Sequence, residues 1–250
     1  LFGGFHTVAA QAEADAQRLR ALGAREIVVT GNMKFDVDID TTLLARGDTL
    51  RQLAGGRRVL LAASTREGEE ALLLDAFARL APPEVLLVLV PRHPQRFDEV
   101  ASLVTRAGLS LARRSATEQP LDARVLLGDS MGEMVAYYRM ADVCLMGGSW
   151  LAYGSQNLIE PCAVGRPVLL GPSTFNFADA AAKAVAAGAA RQCENVDEGM
   201  AQALGLLTDT AACAHMGEAG LRFTQAHRGA TARTLALVAS AVDASAPASR

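Results

Sequence analysis

Short, continuous runs of Val, Leu and Ile recur along the chain and are separated by stretches with helical periodicity. Strands buried on both faces have this composition, because helices cover both sides of a parallel sheet. The alternation therefore predicts an α/β fold with a Rossmann-like, doubly wound parallel sheet. The predicted strands are Glu26–Thr30, Arg58–Ala62, Val85–Val90, Val125–Leu127, Val143–Met146, Pro167–Leu170 and the less apolar Ala189–Gln192.

The stretches between these runs predict helices. In the clearest of them Leu73, Phe77 and Leu80 share one face. Asn176 and Asp197 are the predicted N-caps of two later helices. The predicted helices are His6–Leu22, Glu67–Leu80, Arg96–Ala107, Gly132–Met140, Asn157–Val164 and Phe177–Ala187, followed by an all-helical region from residue 196 to Val242.

The N-terminal region does not fit the same sheet. A helical segment leads into the strand Glu26–Thr30, and a polar stretch follows before the main sheet begins. We therefore expect residues 1–36 to be the end of a preceding N-terminal Rossmann-like domain, residues 37–56 to be a linker, and residues 57–250 to form a nucleotide-binding domain. The chain does not begin with Met, and we expect it to be part of a longer protein.

Composition narrows the classes of function. Half of the 250 residues are hydrophobic and 20% are charged, which is typical of a soluble globular protein. The net charge of −3 gives no reason to expect nucleic acid as a partner. The longest apolar run, Val85–Pro91, is far shorter than the roughly 20 residues of a membrane span. Whether a membrane anchor precedes this chain stays an open question.

Several common site motifs are absent from the sequence. The four Cys and four His residues form no CxxC, HxH or HExxH spacing, so we expect reduced core thiols and no metal site. No Gly-x-Gly-x-x-Gly follows the first strand and no Walker A motif occurs, which argues against dehydrogenases and P-loop enzymes.

In open parallel sheets, ligands bind at the carboxyl ends of the strands. After the strand Arg58–Ala62, Ser64 and Glu67 fit an S-x-x-E capping box. This pattern fits either a well-capped helix or a helix start whose free amides meet a phosphate, with Arg66 adding charge. After Val85–Val90, two prolines stiffen the backbone around Arg92 and His93, for which we predict a ligand role.

Two further loops carry glycines. In Gly128–Glu133, Asp129 fits a helix cap, or the loop receives a base or a ribose. The pair Gly147-Gly148 is expected to leave amides bare for an anion. A polar segment then opens a helix in which Glu160 either caps locally or accepts hydrogen bonds from two ribose hydroxyls.

Six motifs, in this order, resemble the bacterial 3-deoxy-D-manno-octulosonic acid (Kdo) transferases. The resemblance implies the C-terminal, donor-binding domain of a GT-B glycosyltransferase. It implies CMP-Kdo as donor, a tetraacylated lipid A precursor as acceptor, inverting transfer, and neither cofactor nor metal. The motifs are Thr30–Asp36, Ala63–Glu69, Pro91–Pro94, Gly128–Glu133, Gly147–Ser149 with Asn157–Pro161, and Gly171–Phe177.

The resemblance also implies site residues. The family's catalytic base is a glutamate of the N-terminal domain, which this chain lacks, so we expect no catalytic residue here and a binding role for Glu160. The implied partners include the cytoplasmic face of the bacterial inner membrane, reached through the N-terminal domain. The chain departs from the family at Gly154-Ser155-Gln156 and at the apolar Trp150–Tyr153. The implied donor-binding residues are Ser64, Thr65, Arg92, His93, Met131, Gly132, Gly148, Ser149, Asn157 and Glu160.

Two other functions remain open at this point. A UDP-N-acetylglucosamine 2-epimerase-like isomerase shares the GT-B architecture, and would bind uridine diphosphate and carry its own acid and base carboxylates. A non-catalytic nucleotide-binding or interaction module would have no such groups.

Overall fold

The computed structural model describes residues 2–116 and 121–245, which fold into nine strands and ten α-helices. The strands are β1 (Val8–Ala10), β2 (Ile27–Val29), β3 (Val59–Thr65), β4 (Leu86–Pro91), β5 (Leu111–Arg113), β6 (Val125–Leu127), β7 (Val143–Met146), β8 (Val168–Leu170) and β9 (Ala190–Gln192). The helices are α1 (Glu13–Ala21), α2 (Thr41–Leu53), α3 (Glu69–Leu80), α4 (Phe97–Arg106), α5 (Met134–Met140), α6 (Ile159–Ala163), α7 (Ala178–Ala186), α8 (Val196–Thr208), α9 (Thr210–Ala226) and α10 (Ala230–Ser245).

The chain divides into two compact units. The smaller unit combines Leu1–Asp38 with Thr224–Arg250, and the larger unit is Ile39–Phe223. No helix within the described residues is both long and apolar enough to cross a bilayer.

The smaller unit contains the parallel pair β1 and β2. Its first strand corrects the predicted helix His6–Leu22, because Val8–Ala10 pair with Ile27–Val29 and only Glu13–Ala21 are helical. Pairing with a distant strand overrides the local pattern here. Asp36 ties the start of α10 to this unit, since its carboxylate accepts from the backbone N–H of Gly229 at 2.5 Å.

The larger unit is built on a seven-stranded sheet, all parallel, in the order β5-β6-β4-β3-β7-β8-β9. The chain builds one half of this sheet with β3 to β6 and then crosses to the other side of β3 for β7, β8 and β9. This arrangement confirms the predicted fold class. It also places the topological switch point between β3 and β7, where ligands bind in doubly wound sheets.

A hydrophobic core lies on one face of this sheet, where strand residues such as Leu60 and Leu87 pack against α3, α4 and α8. Leu73 and Phe77, predicted to share one face of a helix, are both fully buried there. Burial of such side chains contributes roughly 1.5–3 kcal/mol each, so this layer holds the strands rigidly.

The predicted linker 37–56 requires a correction, since it contains helix α2 within the larger unit. Asp40 caps this helix by accepting from the N–H of Thr42 at 2.8 Å. The helix packs on α5 at Gly47, where a Cβ atom would lie 2.4 Å from the Cβ of Arg139. Gly47 at the contact lowers the helix propensity of this polar segment, which favoured its interpretation as a linker.

The helix caps predicted at Ser64, Asn176 and Asp197 are wrong. Helix α3 begins at Glu69, not in an S-x-x-E box, because Ser64 still belongs to β3. Asn176 instead donates from its side chain to the carbonyl of Tyr153. The cap of α8 is Asn195, and Asp197 pairs with Arg79 of α3.

Candidate nucleotide-binding site

The carboxyl ends of β3, β4, β6 and β7 meet at one edge of the parallel sheet. All ten predicted donor-binding residues lie at the carboxyl ends of these strands, in the loops that follow them, or in the first turn of α6. Contact between these residues and a ligand stays a prediction, but the structure shows which of their polar groups are already engaged within the protein.

The end of β3 is irregular. Ser64 has a φ of 55°, in the left-handed region, and the register with β4 shifts between Ala63 and Thr65. A non-glycine residue in this region is unusual and is often found at functional sites. The hydroxyl of Thr65 is buried and donates to Glu70 at 2.8 Å, and the same carboxylate oxygen accepts from Arg96 at 2.6 Å. The Thr65 hydroxyl therefore belongs to an internal network.

A second buried carboxylate, that of Glu69, lies beneath the loop that follows β7. Its Oε2 accepts from the backbone N–H of Arg66 at 2.8 Å and of Gly148 at 2.7 Å. Its Oε1 accepts from the N–H of Trp150 at 2.9 Å and of Leu151 at 3.4 Å. Burial raises the pKa of Glu69, while these amide donors act in the opposite direction.

The glycine pair Gly147-Gly148 does not leave its amides bare, which corrects that prediction. The N–H of Gly147 donates to the carbonyl of Ala63 at 2.8 Å, and the N–H of Gly148 is taken by Glu69. The glycines are required for close packing, since a Cβ atom on Gly147 would lie 2.4 Å from the carbonyl oxygen of Ser64.

Ser149 is fully buried and braces two loops. Its hydroxyl donates to the carbonyl of Met146 at 2.6 Å and accepts from the N–H of Gly171 at 2.8 Å. This residue therefore connects the ends of β7 and β8, and its hydroxyl is not directed at a ligand.

Arg92 and His93, for which a ligand role is predicted, follow β4 directly. The backbone N–H of Arg92 donates to the carbonyl of Thr65 at 2.9 Å, which fixes this loop against the end of β3. The guanidinium of Arg92 is exposed and has no ion-pair partner within residues 2–116 and 121–245. Arg66 adds a second cation, held 4.7 Å from the ring centre of Tyr153.

The loop after β6 presents Met131, which is 64% exposed, and Gly132, with a φ of +76°. The loop is held at its C-terminal end by Glu133, whose buried carboxylate accepts from Arg46 at 2.7 Å and Arg114 at 3.1 Å. The exposed tip of this loop is therefore followed directly by a buried carboxylate that two arginines hold in place.

Asp129 does not cap helix α5, since its carboxylate accepts from the N–H and the hydroxyl of Ser115, at 2.9 and 2.7 Å. The interpretation of Asp129 as a helix cap is therefore wrong, and the residue connects the loop after β6 to the segment after β5.

The second polar segment after β7 is attached to the glycine pair. The N–H of Ser155 donates to the carbonyl of Gly148 at 2.6 Å, and the N–H of Gln156 donates to that of Gly147 at 2.9 Å. Ser155 has a φ of 72°, in the left-handed region that favours glycine. This pairing brings the start of α6 beside the switch point.

Glu160 lies in the first turn of α6 and is half-buried. Its Oε1 accepts from the side-chain amide of Asn157 at 2.9 Å, and Asn157 Oδ1 accepts from the N–H of Ile159 at 3.1 Å. Among the described residues, Oε2 of Glu160 has no hydrogen-bond partner. Burial raises the pKa of this carboxyl, and the hydrogen bond from Asn157 opposes that effect. Glu160 thus has open acceptor capacity.

Comparison with known proteins shows which family this chain is similar to. A family profile described as "3-Deoxy-D-manno-octulosonic-acid transferase (kdotransferase)" matches residues 1–37. A 3-deoxy-D-manno-octulosonic acid transferase of Bordetella pertussis is 48% identical over 239 residues, which is 93% of this chain. The enzyme of the same description from Haemophilus influenzae is 35% identical over 92% of this chain.

The chain is a homologue of the Kdo transferases. The resemblance carried by the six motifs is therefore confirmed. The chain spans 56% of the length of each of these two Kdo transferases.

Solved structures agree with this assignment. The C-terminal CMP-Kdo binding domain of WaaA from Acinetobacter baumannii matches with a TM-score of 0.70 and 28% identity, over 74% of this chain and 100% of that domain. Anabaena Alr3699/HepE, solved in complex with UDP and glucose, matches with a TM-score of 0.63 and 18% identity, over 94% of this chain and 62% of that one. This second likeness supports the fold alone.

Sequence reasoning missed three buried carboxylates of this Kdo transferase homologue, Glu69, Glu70 and Glu133. A signal for Glu69 was present, because Glu69, Leu73 and Phe77 fall on one face of a helix and the acidic residue interrupts an apolar stripe. A carboxylate in that position needs buried donors. Nothing comparable in the sequence marks Glu133, whose partners Arg46 and Arg114 are distant along the chain.

Proposed function

We propose that this chain is the donor-binding half of a glycosyltransferase that transfers Kdo from CMP-Kdo to a lipid A precursor in lipopolysaccharide biosynthesis. The observation that carries the proposal is the 48% identity to the Bordetella pertussis Kdo transferase over 93% of this chain. The acceptor and the cytoplasmic face of the inner membrane would be contacted through the N-terminal domain.

The donor site proposed here lies at the switch point between β3 and β7. Glu160, oriented by Asn157, accepts hydrogen bonds from the ribose hydroxyls through its open oxygen. Arg92 balances the charge of the phosphate, and His93 lies beside it. The exposed loop of Met131 and Gly132 lies against the cytidine or the sugar.

The remaining predicted residues shape this site without offering side-chain donors. Thr65 and Ser149 use their hydroxyls inside the protein. Ser64 and Gly148 contribute backbone with positive φ, which sets the path of the two loops.

The site as proposed requires no metal ion. CMP-Kdo has a single phosphate, and the exposed guanidinium of Arg92 supplies a matching positive charge. No three His, Cys, Asp or Glu side chains converge into a metal-binding group in the part of the chain that the structure describes. We therefore expect CMP affinity, and transfer by the full-length protein, to survive EDTA; loss on chelation and recovery with Mg²⁺ would contradict this charge balance.

Titration of the chain with CMP, UDP and UDP-N-acetylglucosamine tests the proposed function. We expect CMP to bind more tightly than either uridine nucleotide. A preference for UDP would favour the epimerase-like alternative, and the absence of binding to all three would favour an interaction module.

A variant sharpens this test. Arg92→Ala is expected to weaken CMP but to leave cytidine unchanged, because cytidine lacks the phosphate. Arg191→Ala, which removes an exposed arginine at the β9 edge of the same sheet, is the matched control and leaves both ligands unchanged.

The chain alone is expected to bind CMP but to transfer nothing, since the base is expected in the N-terminal domain. Radiolabelled Kdo appearing on a lipid A precursor in the presence of this chain alone would contradict the proposed division of labour.

A further inference from the structure

We propose that Glu69 is a positioning residue of the donor site: its buried carboxylate fixes the loop after β7 on the start of α3, and through that loop it sets the place of Glu160. The inference rests on the proposed function, because the effect on the donor site is measured as a change in CMP affinity. Glu69 itself is fully buried, so it does not contact a ligand.

The carboxylate of Glu69 is saturated by backbone donors. Oε2 bridges the N–H groups of Arg66 and Gly148, which belong to the loops after β3 and β7. Oε1 accepts from Trp150 and Leu151 of the second loop. One side chain therefore joins the two strands that flank the switch point.

The ionised form of Glu69 is the one that fits. All four of its partners are N–H donors, and a proton on either oxygen would face another proton. Among the described residues Glu69 has no ion-pair partner, so its charge is satisfied by amides alone. Replacing the carboxylate with an amide turns one acceptor oxygen into a donor that opposes the same N–H groups.

The effect of Glu69 extends to Ser155 and Gln156, the residues that lead into α6. Gly148 donates to Glu69 with its N–H and accepts from the N–H of Ser155 with its carbonyl, at 2.6 Å. The neighbouring carbonyl of Gly147 accepts from Gln156 at 2.9 Å. Ser155 and Gln156 lead directly into α6, where Glu160 lies. Displacement of the glycine pair therefore shifts the carboxylate that is proposed to bind the ribose.

The test compares Glu69→Gln with Asp142→Asn in the 250-residue chain. Asp142 is the matched control, because its carboxylate accepts from the N–H of Val59 at 2.8 Å and so joins the same two strands at the opposite edge of the sheet. For each variant, three quantities are measured: CMP affinity, unfolding midpoint, and amide hydrogen exchange.

For Glu69→Gln we expect CMP affinity to fall at least tenfold and the amides of Gly148, Ser155 and Gln156 to exchange faster, with the exchange of Val88 in β4 unchanged. Asp142→Asn is expected to lower the unfolding midpoint without a comparable loss of CMP affinity. Glu69→Asp keeps the charge on a shorter side chain, and we expect it to restore part of the affinity. This variant also serves if Glu69→Gln does not fold.

Two outcomes would overturn the inference. One is unchanged exchange of the three loop amides in both Glu69 variants. The other is a loss of CMP affinity that follows the unfolding midpoint equally in Glu69→Gln and Asp142→Asn, which would make Glu69 a stability residue only. If the unmodified chain bound no CMP, the proposed function would fall, whereas loop exchange would still decide whether Glu69 orders these loops.

Discussion

Replacing Glu160 with Ala is the most direct test of the proposed ribose contact. The carboxylate keeps one oxygen on the Asn157 amide, at 2.9 Å, and leaves the other open. Hydrogen bonds to a charged group contribute about 1.5–3 kcal/mol, and about 1.4 kcal/mol corresponds to a tenfold change in affinity. Glu160→Ala is therefore expected to weaken CMP binding about ten- to a hundredfold.

The assay is calorimetric titration with CMP and with 2′,3′-dideoxy-CMP, which lacks both ribose hydroxyls. We expect the unmodified chain to prefer CMP strongly and the variant to bind both ligands with similar affinity. Glu198→Ala is the matched control, since Glu198 is also half-buried in the first turn of a helix and accepts from the backbone N–H of Glu194 at 2.7 Å.

An equal loss of affinity for the two ligands would refute the reasoning and make Glu160 a helix cap or a fold residue. The unfolding midpoint separates a ligand contact from either structural role. Burial raises the pKa of Glu160, which means that its charge is a cost to the folded protein. We therefore expect Glu160→Ala to leave the midpoint nearly unchanged, whereas removal of a true cap costs about 1 kcal/mol.

Three further predictions concern pH, packing and local stability. Because the pKa of Glu160 is raised in the ligand-free protein, acidification protonates Glu160 at a higher pH than an ordinary glutamate. CMP affinity should fall as the pH is lowered through this protonation. The affinity ratio between the unmodified chain and Glu160→Gln should shrink toward one over the same pH range. A ratio that does not change with pH would exclude the ionised form as the acceptor. Gly147→Ala should lower stability by about 1–3 kcal/mol in denaturant unfolding, since its Cβ atom would overlap the Ser64 carbonyl; Gly205→Ala, in a helix with no heavy atom within 4 Å of the added Cβ, should be neutral or stabilising. In hydrogen exchange, Glu26–Thr30 should exchange much faster than Val85–Val90, because within the described residues β2 pairs only with β1 and its side chains are partly exposed. Equal protection would mean that the domain boundary near residue 36 is misplaced.

The sheet could be predicted because its strands are buried on both faces. Val85–Val90 and Val143–Met146 are continuous apolar runs, and their structural counterparts β4 and β7 are buried throughout. The strands that sequence reasoning missed lack this signal. β5, at the edge of the sheet, reads Leu-Ala-Arg and is only half-buried, and β1 is fixed by its pairing with β2.

The site was predictable at the level of loops but not of individual hydrogen bonds. Strand ends in a parallel sheet converge on one edge, so motifs that follow strands were placed there correctly. Which polar group remains free depends on contacts between loops distant in sequence. The amide of Gly148 is taken by Glu69, 79 positions away, and the hydroxyl of Ser149 is taken by Gly171, 22 positions away. No local pattern encodes such pairings.

Four buried or half-buried glutamates at this edge of the sheet differ in how much acceptor capacity they retain. Glu69 has both oxygens saturated by amides, and Glu133 is held by two arginines. Glu70 pairs with Arg96 and leaves Oε2 without a partner, yet that oxygen is fully buried and no ligand reaches it. Glu160 combines an unpaired oxygen with partial exposure. The same chemical group thus orders the loops at three positions and is left available to a ligand at the fourth, which is why substitutions of Glu69 and Glu160 are expected to differ in loop exchange even where both weaken CMP.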